Sequence, residues 1–248
     1  MDADAMLTLI NPPGLKSFSG LQMHVPNPPL GLAYIAAAVR EAGFDCHVVD
    51  GTGEALDDIH SYPGRADFLM QGLKLEDIVA RIPRASEIIG ITCMFSTLWP
   101  LTRKLAELVR EAFPDALLIL GGEHGTAVHD HVLRTSPFDV IVLGEGEQTI
   151  VDILQTVAEG KSVASVSGVA YRDGAETVSN GLSARARDVD AIPRPAWDLF
   201  PLENYISRHQ VNGVNIGRSM TRSLNRRWIS IRPRHRHMRT RFRPGDCS

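Results

Sequence analysis

From Met6 onward, short continuously apolar runs alternate with stretches whose apolar residues recur at helical spacing. "AMLTLINPPG" reads as a first strand closed by Asn-Pro-Pro-Gly, because proline removes a donor and disfavours regular structure before it. "PPLGLAYIAAAVREAGF" carries Leu32, Ile35, Ala36 and Val39 on one helical face and stops at Gly43. "DCHVVD" is a second strand, "EIIGITCMF" a third, "ALLILGG" a fourth and "DVIVLGEGE" a fifth. Between them lie helices over "KLEDIVARI", "WPLTRKLAELVREAF", a short "HDHVLRTS" and "QTIVDILQTVAEG", which ends at Gly160. Residues 51–72 read as a polar, irregular insertion. Short β-branched strands alternating with helices predict an α/β fold, a doubly wound five-stranded parallel sheet covered on both faces and connected in the flavodoxin-like order.

"VSGVAYRDGAETVSN" alternates about Asp173-Gly174 and predicts a hairpin. The Pro-punctuated, aromatic "DVDAIPRPAWDLFPLENYI" follows as an extended arm expected to leave the first domain and to expose apolar surface. The expected organisation is a Rossmann-like domain over 1–160, a hairpin and linker arm over 161–217, and a tail over 218–248.

Charge sharpens the last boundary. The tail holds ten arginines against one acid, so the first 217 residues keep 16 basic and 28 acidic side chains within a net charge of -3. Such a break is expected of a basic arm on an acidic body, or of a reading frame that changes near Met220 in a GC-rich gene, and the second reading is preferred here. Three scattered cysteines make neither a disulfide framework nor a metal knuckle. No run approaches the roughly 18 apolar residues of a membrane span, and the N-terminus lacks a signal-peptide pattern, so the expected location is the cytoplasm.

Chemistry-bearing residues collect where strands end: "NPPG" after the first, "CMFSTLWP" after the third, "GGEHGT" after the fourth, "GEGE" after the fifth. Open α/β sheets bind ligands along that rim, and glycines there let a flat group lie against bare backbone. Each loop alone has a plainer reading as a turn or a helix cap, and Glu145 and Glu147 are read as a cap and cofactor edge rather than an acid–base pair. A receiver domain would need an acid where "ITCMFS" stands, and a dinucleotide enzyme would need G-x-G-x-x-G in place of "NPPGLKSFSG".

"STL" (Ser96, Thr97, Leu98) and "GG" (Gly121, Gly122) resemble the S-x-L and G-G elements of cobalamin-binding Rossmann-like domains. Together with "GEGE" and "PAWDLFPL", the stretch 6–217 resembles the N-terminal half of cobalamin-dependent radical S-adenosylmethionine enzymes, methyltransferases and cyclases among them. The resemblance implies cobalamin as cofactor, with Ser96, Leu98, Gly121 and Gly122 around its nucleotide tail, Asn11, Pro13, His124 and Glu145 on the rim under the corrin, and Thr97 of the same "STL" element also among the cofactor-binding residues. A leucine at Gly122 is then expected to block binding and leave the fold intact. Many cobalamin domains carry D-x-H-x-x-G after the first strand. No histidine occupies that frame here, which fits the radical-enzyme branch, and His24 is the nearest substitute.

The C-x-x-x-C-x-x-C loop that holds a four-iron cluster in such enzymes does not follow the arm, where Cys247 is the one thiol. The expectation is therefore a cobalamin-binding module that binds without turnover, holds no iron–sulfur cluster or metal ion of its own, and works with a separate or missing catalytic domain. The competing reading is an α/β scaffold whose tail binds nucleic acid through arginines and through Trp228 or Phe242.

Overall fold

The structure, a computed structural model, describes residues 6–17, 26–62, 67–183 and 192–207. The chain divides into compact units over 1–213 and 214–248, and all described residues belong to the first. The arginine-rich tail, with Trp228, Phe242 and Cys247, and the loop histidine His24 lie outside the described residues.

Five parallel strands form the centre: β1 (Met6–Asn11), β3 (Cys46–Asp50), β6 (Ser86–Thr92), β7 (Leu117–Gly121) and β8 (Val140–Val142). They lie in the order β3-β1-β6-β7-β8, which is the flavodoxin-like order expected from the connections. Their side chains alternate between two cores. Ile10, Ile89, Ile91, Leu118 and Leu120 pack with α2 (Leu75–Arg81), α3 (Trp99–Ala112) and α4 (Glu123–Thr135) on one face. Leu7, Leu9, Ile88, Ile119 and Val140 pack with α1 (Leu30–Glu41) and α5 (Glu147–Ala158) on the other. Burial on both faces is why β1, β7 and β8 read as apolar runs.

Three features differ from the sequence reading. The insertion is not irregular: β4 (Ile59–Ser61) and β5 (Phe68–Gln71) join β2 (Gly14–Ser17) in a small antiparallel sheet ordered β2-β5-β4. Strands of three or four residues are too short to show a period, yet Met70 and Gln71 are buried, and Gln71 Nε2 donates to the Leu56 carbonyl at 2.6 Å. The hairpin is not an appendage: β9 (Val169–Asp173) pairs antiparallel with β8, and β10 (Glu176–Ser179) follows it to complete a seven-stranded sheet. Helix α4 begins directly after Gly122, well before "HDHVLRTS", and bends at Val128, where φ is -135° and ψ 37°.

The described part of the arm folds back instead of leaving. Ala196 N–H donates to the Ala33 carbonyl at 2.9 Å, Ala196 and Phe200 are buried with the α1/α5 core, and a short helix α6 (Leu202–Ser207) brings Tyr205 to full burial. Apolar spacing in "PAWDLFPL" reflects this contact rather than an open surface.

Two stability outcomes follow from the packing. Phe200→Ala should cost roughly 3 kcal/mol, read as a lowered urea midpoint at unchanged m-value, because its ring is buried against the main core. Gly122→Ala should cost about 2 kcal/mol or more in the same assay, since Gly122 sits at φ +98° and a Cβ there would stand 2.7 Å from the Cys93 carbonyl oxygen.

Candidate functional site

A cleft of about 630 Å³ opens at the carboxyl ends of the parallel strands, between α1 and α5. It lies where the chain order reverses between β1 and β6, the point at which doubly wound sheets leave a crevice. Its inner wall is apolar: Leu9, Ile35, Ile119, Val142 and Ile150 surround Gly90. Its rim is polar, with Asn11, Thr52, Gln71, Glu145 and Glu147.

Most of the sequence-predicted residues meet there. Asn11 and Pro13 line the cleft from the end of β1. Thr97 and Leu98 reach it from the 3-10 turn Ser96–Leu98 that precedes α3. Gly121 and Gly122 bring the end of β7, and Glu145 the turn before α5.

The two glycines differ in what their bareness does. Gly122 packs against the backbone of Cys93, so its role is structural and a leucine there would strike main chain, contrary to the expectation that the fold would tolerate it. Around Gly121 a Cβ would meet no atom within 4 Å, and this glycine therefore leaves open space in the cleft.

Ser96 and His124 are not among the lining residues; they are partners of one another. His124 Nδ1 stands 2.9 Å from Ser96 Oγ, and the imidazole is tilted against Trp99 with ring centroids 4.9 Å apart. His124 sits in the first turn of α4 with 7% of its surface exposed, and its Nε2 is buried with no partner among the described residues. Burial, with His131 nearby, lowers its pKa, so the ring is held neutral. Thr97, one residue after Ser96, is the residue of this turn that lines the cleft together with Leu98.

Several lining residues escaped the sequence reading. Gly90 interrupts the run Ile88–Ile91 of β6, and a glycine inside a strand is a signal of close approach that was there to be read. The segment Pro26–Leu32 lines the cleft ahead of and into α1, and Met94 and Phe95 stand on the rim 49% and 59% exposed. Asp50, at the end of β3, is 1% exposed and accepts from Asn11 Nδ2 at 2.7 Å, Gly53 N–H at 2.9 Å and Tyr205 Oη at 2.8 Å. Burial raises its pKa, aided by the nearby Glu54, while the three hydrogen bonds pull the other way. Cys93, behind Gly122, is buried and its thiol pushed up to about 11, which leaves it unreactive. Among the described residues no three His, Cys, Asp or Glu side chains are grouped as metal ligands would be.

Bare backbone at Gly90 and Gly121, an apolar inner wall and a polar rim make a slot that fits a flat, largely apolar group with polar edges. Comparison with known proteins agrees. The family model described as "B12 binding domain" matches residues 23–154. The chain is 28% identical over 196 residues to an uncharacterized methyltransferase of Pyrococcus horikoshii, covering 78% of this chain and 38% of that protein. It is 31% identical over 184 residues to the anaerobic magnesium-protoporphyrin IX monomethyl ester cyclase of Cereibacter sphaeroides, covering 72% of this chain and 27% of the cyclase. The fold superposes with a TM-score of 0.61 on the cobalamin-dependent S-adenosylmethionine radical enzyme OxsB with aqua-cobalamin and S-adenosylmethionine bound, at 15% identity, over 82% of this chain and 25% of that one. The chain thus spans well under half the length of these relatives. It belongs to the B12-binding domain family, and its cofactor is cobalamin.

Proposed function

We propose that this chain is the cobalamin-binding module of a radical S-adenosylmethionine type enzyme of the methyltransferase or cyclase class, and that binding is the activity of the chain itself. One observation carries the reading: an apolar slot at the switch point of the sheet, floored by the bare backbone of Gly90 and Gly121. The relatives, a methyltransferase and a cyclase, support the class. The nucleotide tail enters the slot against Gly121, with Thr97 and Leu98 beside it. Ser96 and His124 hold the turn that carries Thr97, through their mutual hydrogen bond and the stacking on Trp99. Asn11, Pro13 and Glu145 border the corrin at the rim.

Cobalamin, when bound, supplies a redox-active cobalt. The chain's own contribution is to bury the tail, exclude water from the slot and orient the ring toward a catalytic domain carried on the same or a separate polypeptide. No helix among the described residues is long and apolar enough to cross a membrane, and the module is placed in the cytoplasm, where free thiols such as Cys46 and Cys93 persist.

The purified protein should retain hydroxocobalamin stoichiometrically through gel filtration, with an absorption spectrum of the form in which the tail base has left cobalt. Gly121→Leu should weaken retention by about tenfold or more, because its side chain enters the slot, while thermal unfolding stays near that of the wild type. A folded wild-type protein that retains no corrinoid sinks the reading.

A further inference from the structure

Asp50 is not part of the cleft wall, yet it fixes a residue that is. The Asn11 side chain has two chemically distinct ends, and its Nδ2 donates to Asp50 Oδ1 at 2.7 Å. Gly53 N–H reaches the same oxygen at 2.9 Å, and the Tyr205 hydroxyl reaches Oδ2 at 2.8 Å. Three donors and no acceptor converge on a carboxylate that is 1% exposed. Both Asp50 oxygens already face donors, so Asn11 turned over would set its amide oxygen against a carboxyl oxygen that accepts from Gly53 N–H. The end left for the cleft is Asn11 Oδ1, which makes no hydrogen bond among the described residues and keeps access to solvent.

The carboxylate is itself held from far along the chain. Tyr205 arrives from the arm, 155 residues beyond Asp50, and its ring fits because Gly53 is bare: a Cβ there would stand 2.5 Å from Tyr205 Cε2. Asn204 Nδ2 adds a hydrogen bond to the Gly53 carbonyl at 2.9 Å. The arm thereby closes the back of the Asn11–Asp50 pair and keeps water from it.

We propose that Asp50 is a positioning residue which presents Asn11 Oδ1 to the cleft as a fixed acceptor, so that this point of the rim selects a ligand group carrying an N–H donor over a carboxylate of the same shape. The inference rests on the cobalamin reading, in which the groups concerned are the primary carboxamides around the corrin. A carboxamide satisfies the Asn11 oxygen, whereas a carboxylate places a charged acceptor against it and leaves both without a partner.

The test compares cyanocobalamin with its b-, d- and e-monocarboxylic acids, each differing from the parent by one amide turned to acid, on the full chain. One of the three acids should bind wild type roughly tenfold or more weakly than the parent, the penalty of a lost hydrogen bond and an unpaired acceptor. In Asp50→Asn the new amide can donate to a reversed Asn11, and the ratio of acid to parent affinity should collapse toward unity. A residue that merely stabilised the fold would move both affinities together and leave the ratio unchanged. Equal binding of all three acids to the wild type overturns the proposal, as does discrimination that survives Asp50→Asn. Should that variant not fold, Asn11→Ala, which leaves Asp50 two of its donors, reads the same ratio, and persisting discrimination there overturns it equally. Failure of the wild type to bind the parent compound would instead remove the cobalamin reading on which the inference stands.

Discussion

Two backbone hydrogen bonds clamp the turn after β6 to the turn after β7, and the cleft depends on them. Cys93 N–H donates to the Gly121 carbonyl at 2.8 Å, and His124 N–H returns to the Cys93 carbonyl at 3.1 Å. The approach is close enough that position 122 must be glycine, in a left-handed conformation. Once the two turns are locked, Gly121 is left facing empty space, Thr97 is swung to the cleft, and the first turn of α4 carries His124 into the interior. The slot is thus a by-product of main-chain geometry more than of side-chain choice. That suits a site for a large flat ligand, which needs a preformed surface more than a set of adaptable contacts.

The polar side of the cleft is built on a different principle. Asp50, Gly53, Tyr205 and Asn11 form a buried network in which every partner of the carboxylate donates. A buried carboxylate left short of donors would be costly, so each of the three donors offsets part of the cost of burying it. Burial pushes the Tyr205 phenol upward as well, with the neighbouring Asp50 adding to the effect, which keeps that hydroxyl a donor across the physiological range.

The parallel sheet was legible in the sequence because its inner strands β1, β6, β7 and β8 are largely buried on both faces and announce themselves as apolar runs. The small sheet was not, since β2, β4 and β5 are only three or four residues long, with partners contributed from either side of α1. The rim residues were legible as clusters at strand ends, yet the direction in which each side chain points was not. Thr97 rather than Ser96 faces the cleft because a 3-10 turn rotates successive residues by about a third of a revolution, which no spacing argument resolves. The same holds for His124, which reads as a loop residue until α4 is seen to begin immediately after Gly122. Asp50 and Tyr205 were beyond reach for another reason: their contact closes a loop of 155 residues, and one polar pair at that separation leaves no local pattern.

Strand β8 is only three residues long, and without the hairpin it would be the open border of the sheet. With β9 and β10 added, the border moves to Glu176–Ser179, a four-residue strand with charged and hydroxyl side chains, which is a poor template for another backbone to extend. Such a border discourages chain-to-chain sheet growth. The hairpin thus blunts one of the two borders of the sheet, β3 forming the other, in a domain whose slot must stand open to receive its cofactor.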